Sequence, residues 1–331
     1  MRRSVPASLV IRETLYMQIN PVLVEVERSG VVESRHRGAV VGLAADGSAA
    51  LRLGDVAGPV FPRSANKPFQ ALAMLRAGLT LDGELLALTA ASHSGEDFHV
   101  QGARRILASA GLAEDALRCP AQWPMEPRVA YEVAARGEGP SRVRMNCSGK
   151  HAAMLATCVL NGWPVESYLD PSHPLQQGVR AVVEELAGEK AAATGIDGCG
   201  APLFAISLTG VARAFRALVL GAPGTHERRL ADAFRAHPEW TSGTHREERR
   251  LMDAIPGLLL KCGAEGVDAF ALPDGAAGAL KIDDGAMRAR TPVTVALLQT
   301  LGAPLINDLA ETPLLGGDTP VGSIHPTPLL R

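Results

Sequence analysis

The sequence predicts an α+β fold in which an antiparallel sheet packs against helices and carries a helical second lobe. Turn-punctuated, β-branched segments near the amino terminus indicate strands, the middle of the chain has helical periodicity, and strand patterns return near residue 270. Sheet residues are therefore predicted at 17–62 and about 200–301, with a helical insert at about 69–190. Two lobes built in this way would share one cleft.

The elements follow from these patterns in chain order. The first strands are predicted at 22–26, 38–43 and 50–53. Helices are predicted at 69–76, 85–92, 100–110, 150–160, 175–186, 208–218, 226–237, 247–262 and 293–301, with glycine or proline at many of the breaks. Two further strands are predicted at 269–272 and 278–283. The proline- and glycine-rich tail is assigned no regular structure, residues 1–16 are interpreted as an extension or a misassigned start, and residues 17–331 as one domain.

Composition narrows the classes of function. The net charge is −2 without a basic block, so the sequence predicts no nucleic-acid partner, and no run of about 18 apolar residues indicates a membrane span. Five cysteines are an odd number scattered along the chain, which is not a disulfide framework and favours a reducing cytoplasm. A small-molecule substrate is the expected partner.

Lysine is rare in this chain, with five lysines among 33 basic residues. Arginine can supply a surface charge, but it cannot be deprotonated in a protein and so cannot act as a general base or a neutral-amine ligand. Lysines retained in such a background are therefore candidates for chemistry. Three of them, Lys67, Lys150 and Lys281, lie in segments that look functional.

Ser64 and Lys67 form a Ser-x-x-Lys sequence where the strands give way to helix. On one helical turn the amine can reach the hydroxyl, and a desolvated lysine could take the serine proton to leave a nucleophile for acyl transfer. Pro68 disfavours helical geometry at Lys67, so the turn must be irregular or the pair must lie in the loop that enters the helix. The alternative is a serine N-cap followed by an exposed lysine.

A second candidate group contains Cys147, Lys150 and Cys199. Cys147 precedes a predicted helix, where the helix dipole favours a thiolate, and Cys199 lies in a glycine-flanked turn. These ligands could hold zinc, although their spacing matches no standard zinc pattern and buried structural thiols are the alternative.

Spacing alone does not decide the role of two further segments. Ser92 and His93 lie in a hydroxyl-rich segment with Glu96, which could be chemistry or a capped helix end. Lys281 occupies a predicted strand between apolar neighbours, where it is either a cleft residue or an edge-strand lysine.

Taken together, these segments resemble the rhizobial-type (class 3) L-asparaginase family of zinc-binding amidohydrolases. The resemblance covers residues from about 17 to the Lys281 strand and rests on ordered blocks at 33–36, 63–70, 91–96, 146–152, 197–202 and 281–285. It implies a serine β-lactamase/glutaminase-like fold and a homodimer. Residues 243–248 are more charged than the corresponding family segment is expected to be.

The resemblance also implies roles for individual residues. It implies Ser64 as nucleophile with Lys67 as base, and a second pair formed by Ser92 and Lys281. It implies Cys147, Lys150 and Cys199 as the protein ligands of one Zn²⁺ ion per chain. The substrate-binding residues expected from the same blocks are Arg63, His93, His151 and Asp197.

The function expected on this basis is hydrolysis of L-asparagine to L-aspartate and ammonia through a serine acyl-enzyme. One alternative is a related serine amidohydrolase acting on glutamine or a β-lactam-like amide. Another, from a different class, is a non-catalytic amino-acid-binding protein stabilised by zinc. Release of ammonia, as opposed to stoichiometric binding, would separate an enzyme from a binding protein.

Overall fold

An antiparallel sheet joins the two ends of the chain in the computed structural model, which describes residues 19–330. The interpretation of residues 1–16 lies outside the described residues. The sheet strands are β1 (Val22–Arg28), β2 (Val31–Leu43), β3 (Ala49–Leu53), β7 (Leu259–Gly263), β8 (Val267–Ala271), β9 (Ala277–Ile282), β10 (Thr312–Gly316) and β11 (Thr319–Pro326). Their order is β10-β11-β1-β2-β9-β8-β7, and β3 also pairs with β2. A smaller sheet has the order β4-β6-β5 and contains β4 (Pro59–Val60), β5 (Ala193–Ile196) and β6 (Pro202–Ser207).

Helices cover the sheet and form the second lobe. In the middle of the chain they are α1 (Lys67–Arg76), α2 (Gly83–Thr89), α3 (Asp97–Ser109), α4 (Pro127–Ala135), α5 (Ser148–Leu160) and α6 (Pro174–Ala187). Later helices are α7 (Leu208–Val219), α8 (His226–Ala236), α9 (Pro238–Thr241), α10 (Glu247–Ala254), α11 (Met287–Thr300) and α12 (Asn307–Ala310). No helix within residues 19–330 is long and apolar enough to cross a bilayer. The α+β class predicted from the sequence is confirmed.

The carboxy-terminal tail is structured, contrary to the sequence prediction. β10 and β11 form a hairpin, and β11 pairs with β1 from Val24 opposite Pro326 to Arg28 opposite Gly322. Ile324 is buried in the core. Pairing with a strand almost 300 positions away decides the conformation here, because strand formation depends on neighbouring strands more than on local propensity.

The segment predicted as one helix at 247–262 is a helix followed by a strand. α10 ends at Ala254, and the chain turns at Gly257, which has a left-handed φ of +79°, before β7 begins at Leu259. Pro256 precedes this glycine, and a Pro-Gly pair is a strong signal for a turn. The correction matters because β7 carries Lys261.

The Ser-x-x-Lys sequence adopts the irregular turn that Pro68 requires. Residues Arg63–Asn66 form a 3₁₀ turn, and α1 begins at Lys67 with Pro68 in its first turn. Proline is favoured at this position because the first N–H groups of a helix have no partner within the helix. Ser64 therefore lies in the turn that leads into α1, and Lys67 is the first residue of α1.

Close packing between β2 and β9 predicts that Gly38→Ala destabilises the fold. A Cβ at Gly38 would lie 2.3 Å from the Lys281 carbonyl oxygen, so the two strands would have to separate. We expect a loss of about 1–3 kcal/mol in the free energy of unfolding, measured by urea denaturation. Gly139→Ala is the matched control, because nothing lies within 4 Å of its Cβ position and its effect should stay within about 0.5 kcal/mol. Equal midpoints for the two variants would contradict the packing argument.

Candidate active site

The hydroxyl of Ser92 is the meeting point of two buried lysines. Ser92 lies in the extended segment after α2, where its backbone N–H donates to the carbonyl of Thr241. Lys67 Nζ on α1 and Lys261 Nζ on β7 each lie 2.9 Å from Ser92 Oγ. All three side chains are buried, and Lys261 is 169 positions from Ser92 in the chain. The fold thus brings three distant segments to one oxygen atom.

The two amines differ in their remaining partners. Lys67 Nζ also donates to the Ala91 carbonyl at 2.6 Å, so two acceptors surround it. Lys261 Nζ has three, because it also contacts the carbonyl oxygen of Cys262 at 2.9 Å and the Cys262 sulfur at 3.8 Å. An ammonium group has three N–H donors, whereas a neutral amine has two and a lone pair. The surroundings of Lys261 fit an ammonium, and those of Lys67 leave room for a lone pair.

Electrostatic repulsion opposes a charge on both amines at once. Two groups that each lie within hydrogen-bond distance of one oxygen are at most about 6 Å apart, and two full charges at that separation repel by about 3 kcal/mol at an effective dielectric constant of about 20. No carboxylate within residues 19–330 forms an ion pair with either lysine. Burial lowers the pKa of Lys261, and the charge of Lys67 lowers it further, while Cys262 and Glu248 act in the opposite direction.

Ser64, three positions before Lys67 in the chain, has a free hydroxyl. Its side chain is partly exposed and forms no hydrogen bond with any residue in the 19–330 range. The preceding residue, Arg63, has a left-handed φ of +52°, a conformation that costs on the order of 1–3 kcal/mol outside glycine and is found where the surrounding structure imposes it. Arg63 is held by an ion pair with Asp197 at 2.9 Å. The partly exposed Ser64 therefore directly follows a residue in a constrained conformation.

Lys281 is not the partner of Ser92 in this structure, which corrects the expected pairing. Its amine donates to the Ile282 carbonyl at 2.5 Å and lies at a separate cavity of about 490 Å³, next to Asp55 and Asp283. Lys281 belongs to β9, two strands away from β7 in the sheet. The position that contacts Ser92 belongs to Lys261, which sequence reasoning missed because β7 was predicted as the end of a helix.

The predicted metal ligands converge in a second buried cluster. Lys150 Nζ lies 3.1 Å from Cys199 Sγ, and Cys147, the residue before α5, lies close to the same thiol. Hydrogen bonding from Cys147 and the charge of Lys150 lower the pKa of Cys199 far below its ordinary value, against the effect of burial. Because the charge of Lys67 also acts on Cys147, this cluster adjoins the two-lysine site.

The donor atoms of this cluster fit a zinc ion. Zinc prefers sulfur and nitrogen ligands, and two thiols and one amine meet here. His151 adds an orphaned atom, because its buried Nε2 has no hydrogen-bond partner in the described chain while its Nδ1 contacts the Tyr168 hydroxyl at 2.7 Å. The Cys199 thiol is close enough to His151 to affect its pKa.

The four predicted substrate-binding residues fall into two pairs. Arg63 and Asp197 form their ion pair next to Ser64 and are partly accessible, so both can face a ligand. His93 is fully buried, with Nε2 2.9 Å from Ser148 Oγ and its ring stacked on His99. His93 follows Ser92 in the chain and packs in the interior of the protein. Because its side chain is not exposed, it cannot make the predicted contact with substrate in this structure. His151 is equally buried and faces the cysteine cluster.

A profile of the L-asparaginase II family matches residues 24–326. The chain belongs to the L-asparaginase II family. The family predicted from the sequence is confirmed at this level, while zinc binding and the rhizobial-type subdivision stay predictions. No curated protein matches the sequence.

Solved structures are similar to this member of the family at low sequence identity. Mglu in the presence of 4.3 M NaCl has a TM-score of 0.45 and 14% identity, over 88% of this chain and 66% of Mglu. Against native Mglu, the chain spans 63% of that protein. EstCE1, a hydrolase with promiscuous acyltransferase activity, has a TM-score of 0.37 and 14% identity over 80% of this chain and 89% of EstCE1. A β-lactamase from Burkholderia vietnamiensis has a TM-score of 0.33 and 14% identity over 76% and 85%. These similarities concern the fold alone, and the serine β-lactamase/glutaminase-like class stays what the resemblance implies.

The geometry predicts opposite outcomes for Lys261 and Lys281. Lys261→Met should lower kcat/KM for the amide substrate by about 10², because loss of this amine removes a hydrogen bond that fixes Ser92 and, through it, the Lys67 amine. Lys281→Met should retain more than about a tenth of the wild-type value, because its amine does not contact Ser92. Amide hydrolysis measured beside thermal melts checks both. Strong loss in Lys281→Met with full activity in Lys261→Met would restore the original pairing.

Proposed function

We propose that this protein hydrolyses L-asparagine to L-aspartate and ammonia through an acyl-enzyme on Ser64. The observation that carries the proposal is the partly accessible Ser64 hydroxyl three positions before Lys67, whose amine already contacts two acceptors. A third position on Lys67 Nζ is left for a lone pair, which is what a general base requires. The family supports amide hydrolysis as the reaction.

In this mechanism Lys67 is the neutral amine and Lys261 the ammonium. Ser64 Oγ attacks the side-chain amide carbon while its proton passes to Lys67 Nζ. Collapse of the tetrahedral intermediate breaks the C–N bond, and ammonia leaves with the proton from Lys67. Water then attacks the ester, giving a proton to Lys67 and releasing aspartate, and Lys67 returns that proton to Ser64. Ser92 accepts a hydrogen bond from each lysine and so holds the base in place.

Stabilisation of the oxyanion is assigned to backbone N–H groups near Ser64. The first N–H groups of a helical turn have no partner within the helix and point toward a negative charge at its start. One such donor contributes roughly 3–4 kcal/mol in well-studied hydrolases.

The ends of the amino acid are assigned to Arg63 and Asp197. A guanidinium suits the α-carboxylate of asparagine, and a carboxylate suits its α-ammonium group. Both side chains flank Ser64 and keep each other in place through their ion pair. A substrate that carries both charges can exchange with this internal pair, whereas a simple amide without them cannot. The proposal therefore predicts an amino-acid amide as substrate.

Zinc is proposed at Cys147, Lys150 and Cys199, with His151 next to them. When bound, zinc would supply a fixed positive charge that orients the amino-acid end of the substrate. In this chain the thiols and the Lys150 amine must lose their protons to act as ligands, so affinity should weaken as pH falls. The homodimer and the cytoplasmic location implied by the resemblance also remain proposals.

Replacement of the nucleophile is the central test. Ser64→Ala and Lys67→Met should each reduce ammonia release from asparagine by more than about 10³, since residues that act as one unit lose activity together. Intact-mass analysis during turnover should show an aspartyl adduct in the wild type and none in Ser64→Ala. The exposed Ser48→Ala is the control and should behave as wild type. An adduct that persists in Ser64→Ala and disappears in Ser92→Ala would move the nucleophile to Ser92. Ammonia release from glutamine at an equal rate would contradict the substrate choice.

The metal proposal predicts about one zinc ion per chain by elemental analysis. Cys147→Ala and Cys199→Ala should each lose it. Cys158→Ala is the matched control, because this buried cysteine lies on α5 outside the cluster and should keep the metal. If reconstituted wild-type protein at neutral pH holds no zinc, the cluster consists of structural thiols.

A further inference from the structure

A buried ion network lies next to β7, the strand that carries Lys261. Arg290 on α11 donates from Nη1 to Glu248 Oε1 on α10 and to Asp268 Oδ1 on β8, both at 2.9 Å. Thr294, one turn further along α11, donates to the second Asp268 oxygen at 2.6 Å. Glu248, Asp268 and Arg290 are each at most 4% exposed. The mechanism proposed above uses none of these groups.

The network reaches the active site through Cys262. This residue follows Lys261 in β7 and pairs across the strands with Asp268. Its sulfur lies 3.8 Å from Lys261 Nζ, and its carbonyl oxygen accepts from the same amine at 2.9 Å. Helix α10, which carries Glu248, packs against β7. Glu248 therefore belongs to a helix packed against the strand of Cys262, and the thiol of Cys262 contacts the Lys261 amine.

The charge of Glu248 is securely negative. Burial alone would raise its pKa, but Arg290 and Arg246 hold the pKa well below its usual range. Asp268 differs, because burial outweighs Arg290 and raises its pKa to about 6. Glu248 is the one of the two that stays ionised across the neutral range.

The groups that face Lys261 come from several elements. They are Lys67 on α1, Cys262 on the same strand, Glu248 on α10 and Arg246 just before α10. Lys67 and Arg246 oppose a proton on Lys261, while Cys262 and Glu248 favour it. Since the Cys262 thiol is itself buried and its pKa is raised by burial, it is neutral at ordinary pH. Glu248 is then the full negative charge in this set.

We propose that the Glu248 carboxylate is the counter-charge that keeps the Lys261 amine protonated and directed at Ser92. Glu248 is a positioning residue, since it acts through Lys261 and touches no reacting atom. The proposal rests on the proposed function, in which Lys261 is the ammonium and Lys67 the base. Without the negative charge of Glu248, the Lys261 amine would lose its proton at a lower pH. Either Lys67 or Lys261 could then be the neutral amine next to Ser92.

The test titrates Lys261 directly. The chain contains five lysines, so protein labelled with ¹³C at lysine Cε gives few NMR signals, and Lys261→Arg assigns the relevant one. Glu248→Gln removes the charge with little change in shape and should lower the apparent pKa of Lys261 by about one unit or more. Glu247→Gln is the control, because this adjacent, half-exposed residue also contacts Arg290, at 3.3 Å, and should shift the pKa by less than about 0.3.

Kinetics provide the second readout. The alkaline limb of kcat in Glu248→Gln should move to lower pH by the same amount as the NMR titration, with KM within about twofold. A purely structural role would lower stability without moving the limb. The proposal is overturned if the two variants shift Lys261 equally, or if Lys261 stays protonated to the pH of alkaline unfolding in both wild type and Glu248→Gln.

An unfolded Glu248→Gln protein would not end the test. The double variant Glu248→Gln with Arg290→Met removes both charges, and replacing a buried pair together avoids an unpaired buried charge. Asp268 can then take up a proton, because its pKa is already raised. The same lowered titration of Lys261 is expected in this variant. Because NMR observes the amine itself, the result is independent of which amide the protein hydrolyses, and mass analysis of the Ser64 adduct tests the proposed function separately.

Discussion

The pair of hydrogen bonds from two lysine amines to one serine oxygen is the constraint on which the site depends. A serine hydroxyl can accept from both amines, but both cannot carry a charge without repulsion. The protonation of Lys261 therefore depends on the charge of Lys67. Since Lys67 comes from the start of α1 and Lys261 from β7 at the edge of the sheet, this coupling exists only when the helical lobe and the sheet are docked. Folding and the chemistry of the site are linked at this oxygen.

The cluster of Cys147, Lys150 and Cys199 places a different kind of charge next to the two-lysine site at Ser92. Lys150 faces a thiolate, which favours the ammonium form, whereas Lys67 and Lys261 face a hydroxyl, carbonyl oxygens and a sulfur atom without an ion-pair partner. Burial is similar in all three cases, so the nearest partner decides the state of each amine. The ion pair between Arg63 and Asp197 ties the two clusters together, because Arg63 precedes Ser64 and Asp197 begins the loop that carries Cys199.

The sequence was sufficient for the fold class, for the central helices other than α4 and for most of the residues that meet in the two clusters. Glycine and proline mark the ends of the central helices, and Pro68 correctly indicated an irregular turn between Ser64 and α1. The sequence did not identify Lys261 as a site residue. Residues 258–263 are apolar apart from Lys261, and such a run is typical of a buried helix as much as of a strand. The Pro-Gly turn before them was the available signal. The carboxy-terminal hairpin could not be predicted for a related reason, since its pairing partner is the first strand of the chain.

The scarcity of lysine acquires a physical meaning in this structure. Three of the five lysines, Lys67, Lys150 and Lys261, are almost completely buried, while arginines form most of the surface ion pairs. A buried arginine is a permanent charge, and Arg290 serves as one by holding two carboxylates in a fixed arrangement. A buried lysine can exist in either state, so its neighbours determine whether it is an acid, a base or a ligand. The protein uses both kinds of group. Arg290 supplies a permanent charge in the ion network next to β7, and the lysines that contact Ser92 supply amines that can gain or lose a proton. Replacing Lys67 or Lys261 by arginine would keep the positive charge next to Ser92. It would remove the ability of that side chain to lose its proton.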